Sequence, residues 1–361
     1  MYFKHKIFGS IFNLFSKSKV NDNQIAFVVG DKNSFKGNFQ YIKGEFSKKG
    51  NFNFVFFNKN SLSISNIKKL AKSKYIFLND NFLAIAFMNF NKDSKVLQLW
   101  HAPGAFKKFA ASSSDNEEEI SVIAKASEKT DYLFITSENI KDFYRDAFRI
   151  DGNKIKSFGI PRTDYYFEDR DFKKLREDFD NKYPLAKNKK IILYAPTFRD
   201  NEDDNNVFNY LDLEKFNNAF SEEYVLALRL HPKINQFFKG DIDSKDEFID
   251  VSDYKNEQEL MLISDLLITD YSSIMIEFAL LNKPIIFFTY DYERYLTKDR
   301  GFYYDFESNV PGDIVKTDDE LIRLIKEGNY NTEKHDSFLK MQFDYIDGNS
   351  SKRIVDFILG E

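Results

Sequence analysis

Cysteine is absent from the 361 residues of this chain. Without thiols the chain can form neither a disulfide framework nor a thiolate metal site, and the absence fits a reducing compartment. Histidine is also scarce, with four residues, and no two of them have a metal-ligand spacing. The chain is therefore neither a disulfide-stabilised protein nor a zinc protein with cysteine ligands.

Long apolar runs are lacking as well. The most apolar stretches, residues 260–268 and 284–288, are far shorter than the roughly 20 residues of a membrane-spanning helix. The N-terminal stretch is interrupted by Lys4, His5, Lys6 and Asn13, unlike the uninterrupted apolar region of a cleavable signal peptide. The sequence therefore predicts neither a membrane-spanning helix nor a cleavable signal peptide.

Several catalytic motifs are missing. The chain has no G-x-G-x-x-G after its first predicted strand, no G-x-x-x-x-G-K-[ST] loop and no G-x-S-x-G elbow. The sequence motifs of dinucleotide-binding proteins, P-loop proteins and serine hydrolases are therefore missing. A metal-independent transferase remains.

Charge is distributed unevenly. Residues 1–110 hold 18 lysines and five acidic residues, a net charge of +13, so the total of -5 leaves -18 for the rest. This split indicates an anionic partner for the N-terminal part, such as a lipid surface or a phosphate-rich polymer; the alternative is a solvated lysine-rich surface. The basic part carries no nucleic-acid-binding motif, so nucleic acid is not expected as a partner.

The first 20 residues predict a short amphipathic helix. Apolar side chains recur at helical spacing in Phe8, Ile11, Phe12 and Phe15, flanked by lysines at 4, 6, 17 and 19. Such a helix either lies in a membrane interface, with its lysines at anionic headgroups, or docks on its own domain.

Elsewhere, short apolar runs alternate with helical patterns, which is typical of parallel sheets with crossover helices. We predict an α/β fold of two doubly wound Rossmann-like lobes facing a cleft. The predicted parts are an amphipathic segment at 1–20, an N-terminal Rossmann-like domain at 21–165, a C-terminal Rossmann-like domain at 166–346 and a C-terminal helix at 347–361. The predicted strands are 24–29, 53–57, 75–78, 96–100, 132–136, 190–195, 224–230, 248–251, 266–269 and 285–289. Helices are predicted at 172–180, 258–264, 272–281 and 318–327, and a mobile loop at 112–119.

Two histidines follow apolar strands directly: His101 after 96–100 and His231 after 224–230. A histidine at the carboxyl end of a parallel strand points into the ligand-binding edge, and its side chain suits proton transfer near neutral pH. One such histidine alone is more often structural, whereas one per lobe favours function.

Three loops of the second lobe bring phosphate-binding residue types to one edge. Ser272 and Ser273 follow the strand at 266–269 and begin a helix, where backbone N–H groups favour an anion. Thr197 and Arg199 follow the strand at 190–195, and arginine offers a forked donor set for phosphate. In isolation, each feature is equally an ordinary helix cap or surface arginine; their convergence, with His231, predicts a diphosphate cradle.

Together these stretches resemble the CDP-glycerol glycerophosphotransferase family, which includes teichoic-acid primases and polymerases and has relatives in capsule synthesis. The resemblance extends over residues 95–358, and residues 36–42 show a weaker similarity to the family. The matching blocks are QLWHAPGAFKKF (98–109), YAPTFR (194–199), RLHP (229–232), SDLLITDYSS (264–273), PIIFFTYD (284–291), RGFYYDF (300–306) and DGNSSKR (347–353).

The resemblance implies a GT-B-like fold, in which the domain at 166–346 binds a CDP-glycerol or CDP-ribitol donor and the domain at 21–165 lies on the acceptor side. It also implies no obligatory metal or other cofactor, and peripheral attachment to the cytoplasmic leaflet. It marks His101 and His231 as the catalytic pair. Ala102 and Phe198 depart from the glycine and tryptophan often found in the family, which puts alcohol or acceptor choice in doubt. The donor-binding candidates are Thr197, Arg199, Arg229, Asp270, Ser272 and Ser273, and the acceptor-steering candidates are Gly104, Lys107, Lys108 and Arg300.

The expected reaction is attack of an acceptor hydroxyl, on a membrane-linked or polymeric glycan, at the β-phosphorus of the CDP-alcohol, with release of CMP. His101 is the expected general base, His231 helps to hold the diphosphate, and Asp270 orients the serine turn. Two alternatives stay open: a GT-B nucleotide-sugar glycosyltransferase, and a non-catalytic binder of phosphate-rich polymers. The sequence does not decide between glycerol and ribitol, primase and polymerase, or teichoic acid and capsule, and it leaves the acceptor and the oligomeric state undetermined.

Overall fold

A computed structural model describes residues 2–30, 35–60, 63–199, 207–230, 247–298 and 301–361. The chain divides into two compact units. The first unit comprises Met1–Phe167 and Met341–Glu361, and the second unit comprises Glu168–Lys340.

The first unit is built on a six-stranded, entirely parallel sheet in the order β2-β1-β3-β4-β5-β6. This order reverses direction between β1 and β3. The strands are β1 (Asn21–Val29), β2 (Asn53–Asn58), β3 (Ser73–Leu78), β4 (Lys95–Gln98), β5 (Tyr132–Ile135) and β6 (Ile155–Ser157). The helices are α1 (Phe3–Phe15), α2 (Asn38–Lys49), α3 (Ile64–Ala71), α4 (Glu117–Glu128) and α5 (Lys141–Phe148).

Helices cover both faces of this sheet, as a parallel sheet requires. Along β1, Ala26 and Val28 pack into one apolar cluster with α1 and α3. The alternate residues Ile25 and Phe27 pack into a second cluster on the other face, with α2. The two-residue period of a strand thus divides one continuous apolar run between two cores.

Helix α1 docks on its own unit. Phe8 and Phe12 are 3% and 0% exposed, and Phe8 packs against Phe57 and Phe82. The backbone of Phe87 lies so close to Gly9 that a Cβ there would come within 2.3 Å of its carbonyl oxygen. The apolar face predicted for this helix therefore packs on its own unit, as the docking alternative expects.

The last helix of the chain, α14 (Ser350–Leu359), packs against α2. Its N-terminus is held by the buried carboxylate of Asp164, which accepts hydrogen bonds from the backbone N–H of Ser350 (2.9 Å) and of Ser351 (2.8 Å) and from the Ser351 hydroxyl (2.5 Å). A carboxylate at this position also complements the helix dipole. The DGNSSKR block therefore fastens the end of the chain to the first unit.

The second unit has another six-stranded parallel sheet, in the order β12-β11-β10-β7-β8-β9. It reverses between β7 and β10, as in the Rossmann arrangement. The strands are β7 (Lys190–Ala195), β8 (Tyr224–Leu228), β9 (Ile249–Asp250), β10 (Leu266–Thr269), β11 (Ile285–Phe288) and β12 (Asp313–Val315). The helices are α6 (Phe172–Lys182), α7 (Leu213–Phe220), α8 (Glu257–Ile263), α9 (Ile274–Ala279), α10 (Tyr292–Lys298), α11 (Phe306–Asn309), α12 (Asp318–Glu327) and α13 (His335–Gln342).

The predicted fold class of two Rossmann-like α/β lobes is confirmed, and all ten predicted strands are present. Sequence reasoning missed β6 and β12, which are three residues long. The predicted mobile loop at 112–119 is wrong at both ends, because Ala110–Ser113 forms a 3₁₀ helix and residues 117–119 form the first turn of α4. There the Asn116 side chain accepts hydrogen bonds from the N–H groups of Glu118 and Glu119, and acidic residues are favoured at a helix N-terminus.

Candidate active site

The switch point of the second sheet is organised by Asp270. This residue follows β10, and its carboxylate accepts hydrogen bonds from the backbone N–H of Thr197, after neighbouring β7, at 2.9 and 3.0 Å. The same carboxylate accepts from the N–H of Tyr271 at 2.5 Å. Ligands of doubly wound sheets bind where the strand order reverses. The two predicted loops therefore meet at the expected position.

Arg199 lies beneath this turn, and its side chain is 4% exposed. Its guanidinium pairs with Asp270 at 2.8 Å and with Asp291 at 2.8 and 3.1 Å, and it donates to the Thr197 carbonyl at 2.5 Å. Burial alone would lower the pKa of Arg199, but the charges of Asp270 and Asp291 outweigh it and raise the pKa. These contacts favour a positioning role for Arg199 over the direct phosphate contact that the sequence predicts.

Aromatic rings complete the surroundings of this arginine. The guanidinium carbon lies 5.2 Å from the ring centroid of Tyr271 and 5.1 Å from that of Tyr295, within the range of cation–π attraction. The Tyr271 hydroxyl donates to Asp291 at 3.0 Å. Burial, followed by the charges of Asp291 and Asp270, raises the pKa of Tyr271, so this hydroxyl stays protonated and remains a donor.

The three predicted hydroxyl donors lie in the loops that follow β7 and β10. The Thr197 Oγ1 is shielded from solvent and has no hydrogen-bond partner within the described part of the chain. Ser273 is exposed and Ser272 half-buried, directly before α9, which has six residues instead of the ten predicted. A buried hydroxyl without a partner is costly unless a ligand satisfies it.

Arg229 does not join this network. Its guanidinium donates to the carbonyls of Val251 (3.1 Å) and Tyr254 (3.2 Å) and lies 3.8 Å from the Glu257 carboxylate. The described contacts thus bring together Thr197, Arg199 and Asp270 among the predicted donor-binding residues. His231 and Arg300 lie outside the described residues.

In the first unit, His101 follows β4 at a backbone turn of unusual conformation. Trp100 has a φ of +61°, a left-handed value that a bulky residue adopts only when its surroundings enforce it. Gln98 accepts from the Trp100 N–H at 2.9 Å, and Asn38 donates to the Trp100 carbonyl at 2.8 Å. Arg162 donates to the His101 carbonyl at 3.0 Å. This conformation holds the half-exposed imidazole at the sheet edge.

Downstream of His101, Gly104 is buried and has a φ of +66°. Its N–H donates to Thr136 at 3.0 Å and its carbonyl accepts from Tyr144 at 2.8 Å, which favours a turn-forming role over acceptor steering. Lys108 is exposed and Lys107 is half-buried.

Sequence reasoning missed the partners of His101. The His101 Nδ1 lies 4.0 Å from an oxygen of Asp80, and Asp80 pairs with Lys59 at 2.6 Å. Asp80 follows β3 by two residues and Lys59 directly follows β2. The shared carboxyl edge of parallel strands is the only sequence signal that could have pointed to them. Among the described residues, no group of three or more histidines and carboxylates could hold a metal ion.

Comparison with known proteins identifies relatives of this chain. The chain is 36% identical over 364 residues to the teichoic acid poly(ribitol-phosphate) polymerase of Bacillus spizizenii, covering 98% of this chain but 59% of that protein. It is 37% identical to the teichoic acid glycerol-phosphate primase of Bacillus subtilis, over 79% of this chain and 73% of the relative. This chain therefore corresponds to little more than half of the first relative.

Among solved structures, a variant of the wall teichoic acid polymerase TagF soaked with CDPG superposes with a TM-score of 0.82 and 26% identity, covering 99% of this chain and 93% of the other. The predicted GT-B-like fold is confirmed by this match. The family profile described as CDP-Glycerol:Poly(glycerophosphate) glycerophosphotransferase matches residues 10–360. The chain belongs to this family.

Proposed function

We propose that this protein transfers a polyol-phosphate unit from a CDP-alcohol to a hydroxyl of a polymeric or lipid-linked glycan, and releases CMP. The observation that carries the proposal is the network at the point where the strand order of the second sheet reverses. There Arg199 and Asp270 hold the backbone of Thr197 in place. The buried side-chain hydroxyl of Thr197 has no protein partner in the described chain. Family membership gives this network its ligand class.

Each group has one task in this reaction. The Thr197 Oγ1 and the hydroxyls of Ser272 and Ser273 donate hydrogen bonds to the donor's diphosphate. Asp270 and Arg199 keep the Thr197 turn in place. His101 accepts the proton of the attacking hydroxyl while that oxygen bonds to the β-phosphorus and the bond to the CMP oxygen breaks. Phosphoryl transfer asks mainly for positioning and charge stabilisation, which such a rigid framework supplies.

Ribitol phosphate is the first unit to test. The match to the poly(ribitol-phosphate) polymerase extends over 98% of this chain, whereas the match to the glycerol-phosphate primase extends over 79%. Because the poly(ribitol-phosphate) polymerase matches nearly the whole chain, CDP-ribitol is the first donor to test and repeated addition is the first product pattern to look for.

The testing experiment incubates the chain with CDP-ribitol, CDP-glycerol or UDP-sugars, each with a lipid-linked or polymeric acceptor, and measures nucleotide release and product mass. We expect acceptor-dependent CMP release and a product heavier by whole polyol-phosphate units. Release of UDP with a sugar added to the product would instead establish the glycosyltransferase alternative. Binding of a phosphate-rich polymer without nucleotide release would establish the non-catalytic one.

We further propose peripheral attachment to the cytoplasmic face of a membrane. No helix in the described ranges is long and apolar enough to cross a bilayer. The outward side of α1 exposes Phe3 and Leu14 at 75% and 74%, with exposed lysines at 4, 6, 17 and 19. Exposed apolar side chains flanked by lysines suit an anionic lipid surface.

Vesicle sedimentation tests this attachment. The wild type should bind vesicles containing phosphatidylglycerol more tightly than pure phosphatidylcholine vesicles, and the double variant Phe3→Ser, Leu14→Ser should lose most of that binding. Phe172→Ser, at an apolar residue of the second unit that is 50% exposed, is the matched control. Equal binding by wild type and double variant would refute the role of α1.

A further inference from the structure

A cavity of about 360 Å³ opens at the carboxyl edge of the first sheet. It is lined by residues at the ends of β1 and β3, between which the strand order reverses, and by His101 after β4. Crevices at such reversals are the usual ligand sites of open parallel sheets. The donor network occupies the corresponding position in the second sheet, so the first unit has a switch-point cavity to which no ligand is assigned.

The lining of this cavity suits a small polyhydroxylated ligand. Val28 and Phe82 supply apolar walls, and Lys59, Asn79 and Asp80 supply polar groups. The Asn79 Oδ1 accepts from Asn38 at 2.6 Å, which leaves its amide N–H groups to donate to a ligand. A site of this composition combines shape with a few convergent hydrogen-bonding groups.

The carboxylate of Asp80 is fixed from two sides beside the imidazole. Lys59 pairs with one oxygen at 2.6 Å, and the backbone N–H of Asn81 donates to the other at 2.7 Å. That second oxygen is the one 4.0 Å from the His101 Nδ1. Catalytic hydrogen bonds are often longer before the substrate binds. A carboxylate at Nδ1 favours the tautomer that leaves Nε2 to accept a proton.

We propose that this cavity is the acceptor subsite, which binds the terminal polyol of the acceptor, and that Asp80, held by Lys59, positions His101 against its hydroxyl. The inference rests on the proposed function. Asp80 and Lys59 are positioning residues, and Asn79 contacts the acceptor. The reacting proton moves from the acceptor hydroxyl to the imidazole.

Nuclear magnetic resonance tests the positioning without any turnover. The chain has four histidines, and the signal lost in His101→Gln identifies the His101 imidazole. The charged groups that the described contacts place nearest to His101 are Asp80, its partner Lys59, and Arg162, which donates to the His101 carbonyl. Since an adjacent carboxylate favours imidazolium, Asp80→Asn should lower the pH at which His101 titrates. Asp93→Asn, an exposed carboxylate of the same unit, should not.

Steady-state kinetics tests the subsite. Asn79→Asp keeps the oxygen that pairs with Asn38 but replaces the amide donor with an acceptor, so the KM for the acceptor should rise about tenfold while the KM for the CDP-alcohol stays unchanged. Asn23→Asp, exposed at the opposite end of β1, is the control. Asp80→Asn should lower kcat by about 10- to 100-fold and move the acid limb of the kcat/KM profile to lower pH, and Asp80→Glu should restore part of kcat.

The outcomes separate cleanly. A His101 titration unmoved by Asp80→Asn overturns the positioning, whatever the activity. An Asn79→Asp variant with unchanged acceptor KM, or with a raised donor KM, overturns the subsite. If the wild type releases no CMP from any donor, the proposed function fails and the subsite falls with it, whereas the titration still decides whether Asp80 controls His101.

Discussion

The carboxyl edges of the two sheets differ in how their site residues are buried and held. In the second unit, the turn after β7 is fixed by a buried cation between two buried carboxylates, with Arg199, Asp270 and Asp291 all less than 10% exposed. In the first unit, His101 and Asp80 are 53% and 56% exposed, and the backbone beneath them is held by the neutral side chains of Gln98 and Asn38.

The difference teaches what each edge is suited to do. Buried opposite charges hold a backbone rigidly, because any displacement leaves an uncompensated charge in the interior. The proposed donor cradle needs that property. The proposed base must exchange protons and meet a large acceptor, so its imidazole needs access to solvent while its backbone stays fixed.

The largest expected effect is on the buried network. Arg199→Met leaves Asp270 and Asp291 without their cation, so the free energy of unfolding should fall by about 3–5 kcal/mol, measured by urea unfolding with circular dichroism. Arg323→Met, at an exposed ion pair of the same unit, should change it by less than about 0.5 kcal/mol. Equal stability of the two variants would contradict the contrast between the edges.

A smaller effect is expected in the first unit, where the Asp164 carboxylate holds the N-terminus of α14. Asp164→Ala removes the acceptor of three hydrogen bonds at the start of α14, and the free energy of unfolding should fall by about 2–3 kcal/mol. Trp100 is the only tryptophan in the chain, so its fluorescence follows the unfolding of the first unit. Asp93→Ala is the control. If Asp164→Ala leaves the unfolding transition followed by Trp100 fluorescence unchanged, the hydrogen bonds of Asp164 to α14 do not stabilise the unit.

The smallest expected effect separates binding from folding at the proposed donor site. Thr197→Val keeps the side-chain shape and removes the buried hydroxyl that has no partner in the described chain. The KM for the CDP-alcohol should rise roughly tenfold, with the acceptor KM and the free energy of unfolding unchanged or slightly improved. Calorimetric titration with the donor checks the loss. Unchanged donor affinity would remove Thr197 from the cradle.

Sequence reasoning predicted the fold well because the strands of a parallel sheet are continuous apolar runs, as in 190–195 and 266–269. It also predicted that the loops after 190–195 and 266–269 lie at one edge, since the carboxyl ends of parallel strands share that edge. The short edge strands β6 and β12 escaped because three residues carry too weak a pattern.

The partners of the site residues could not be read from the sequence. Asp291 lies 92 positions from Arg199 and joins it only through the packing of β11, so nothing local distinguishes an arginine that binds phosphate from one that binds carboxylates. Asp80 likewise reaches His101 from the end of another strand, and Lys59, after a third strand, pairs with Asp80. The pairing of His101 with His231 stays a prediction, because His231 lies outside the described residues.

The central claim is that the chain transfers polyol phosphate with the His101 imidazole as its base. The most direct measurement is CMP release by wild type and His101→Ala in parallel, with CDP-ribitol and an acceptor, after circular dichroism has shown both to be folded. The predicted result is acceptor-dependent release by the wild type and a rate lower by roughly 10²- to 10⁴-fold in the variant. A folded His101→Ala protein with a near-wild-type rate would contradict the account.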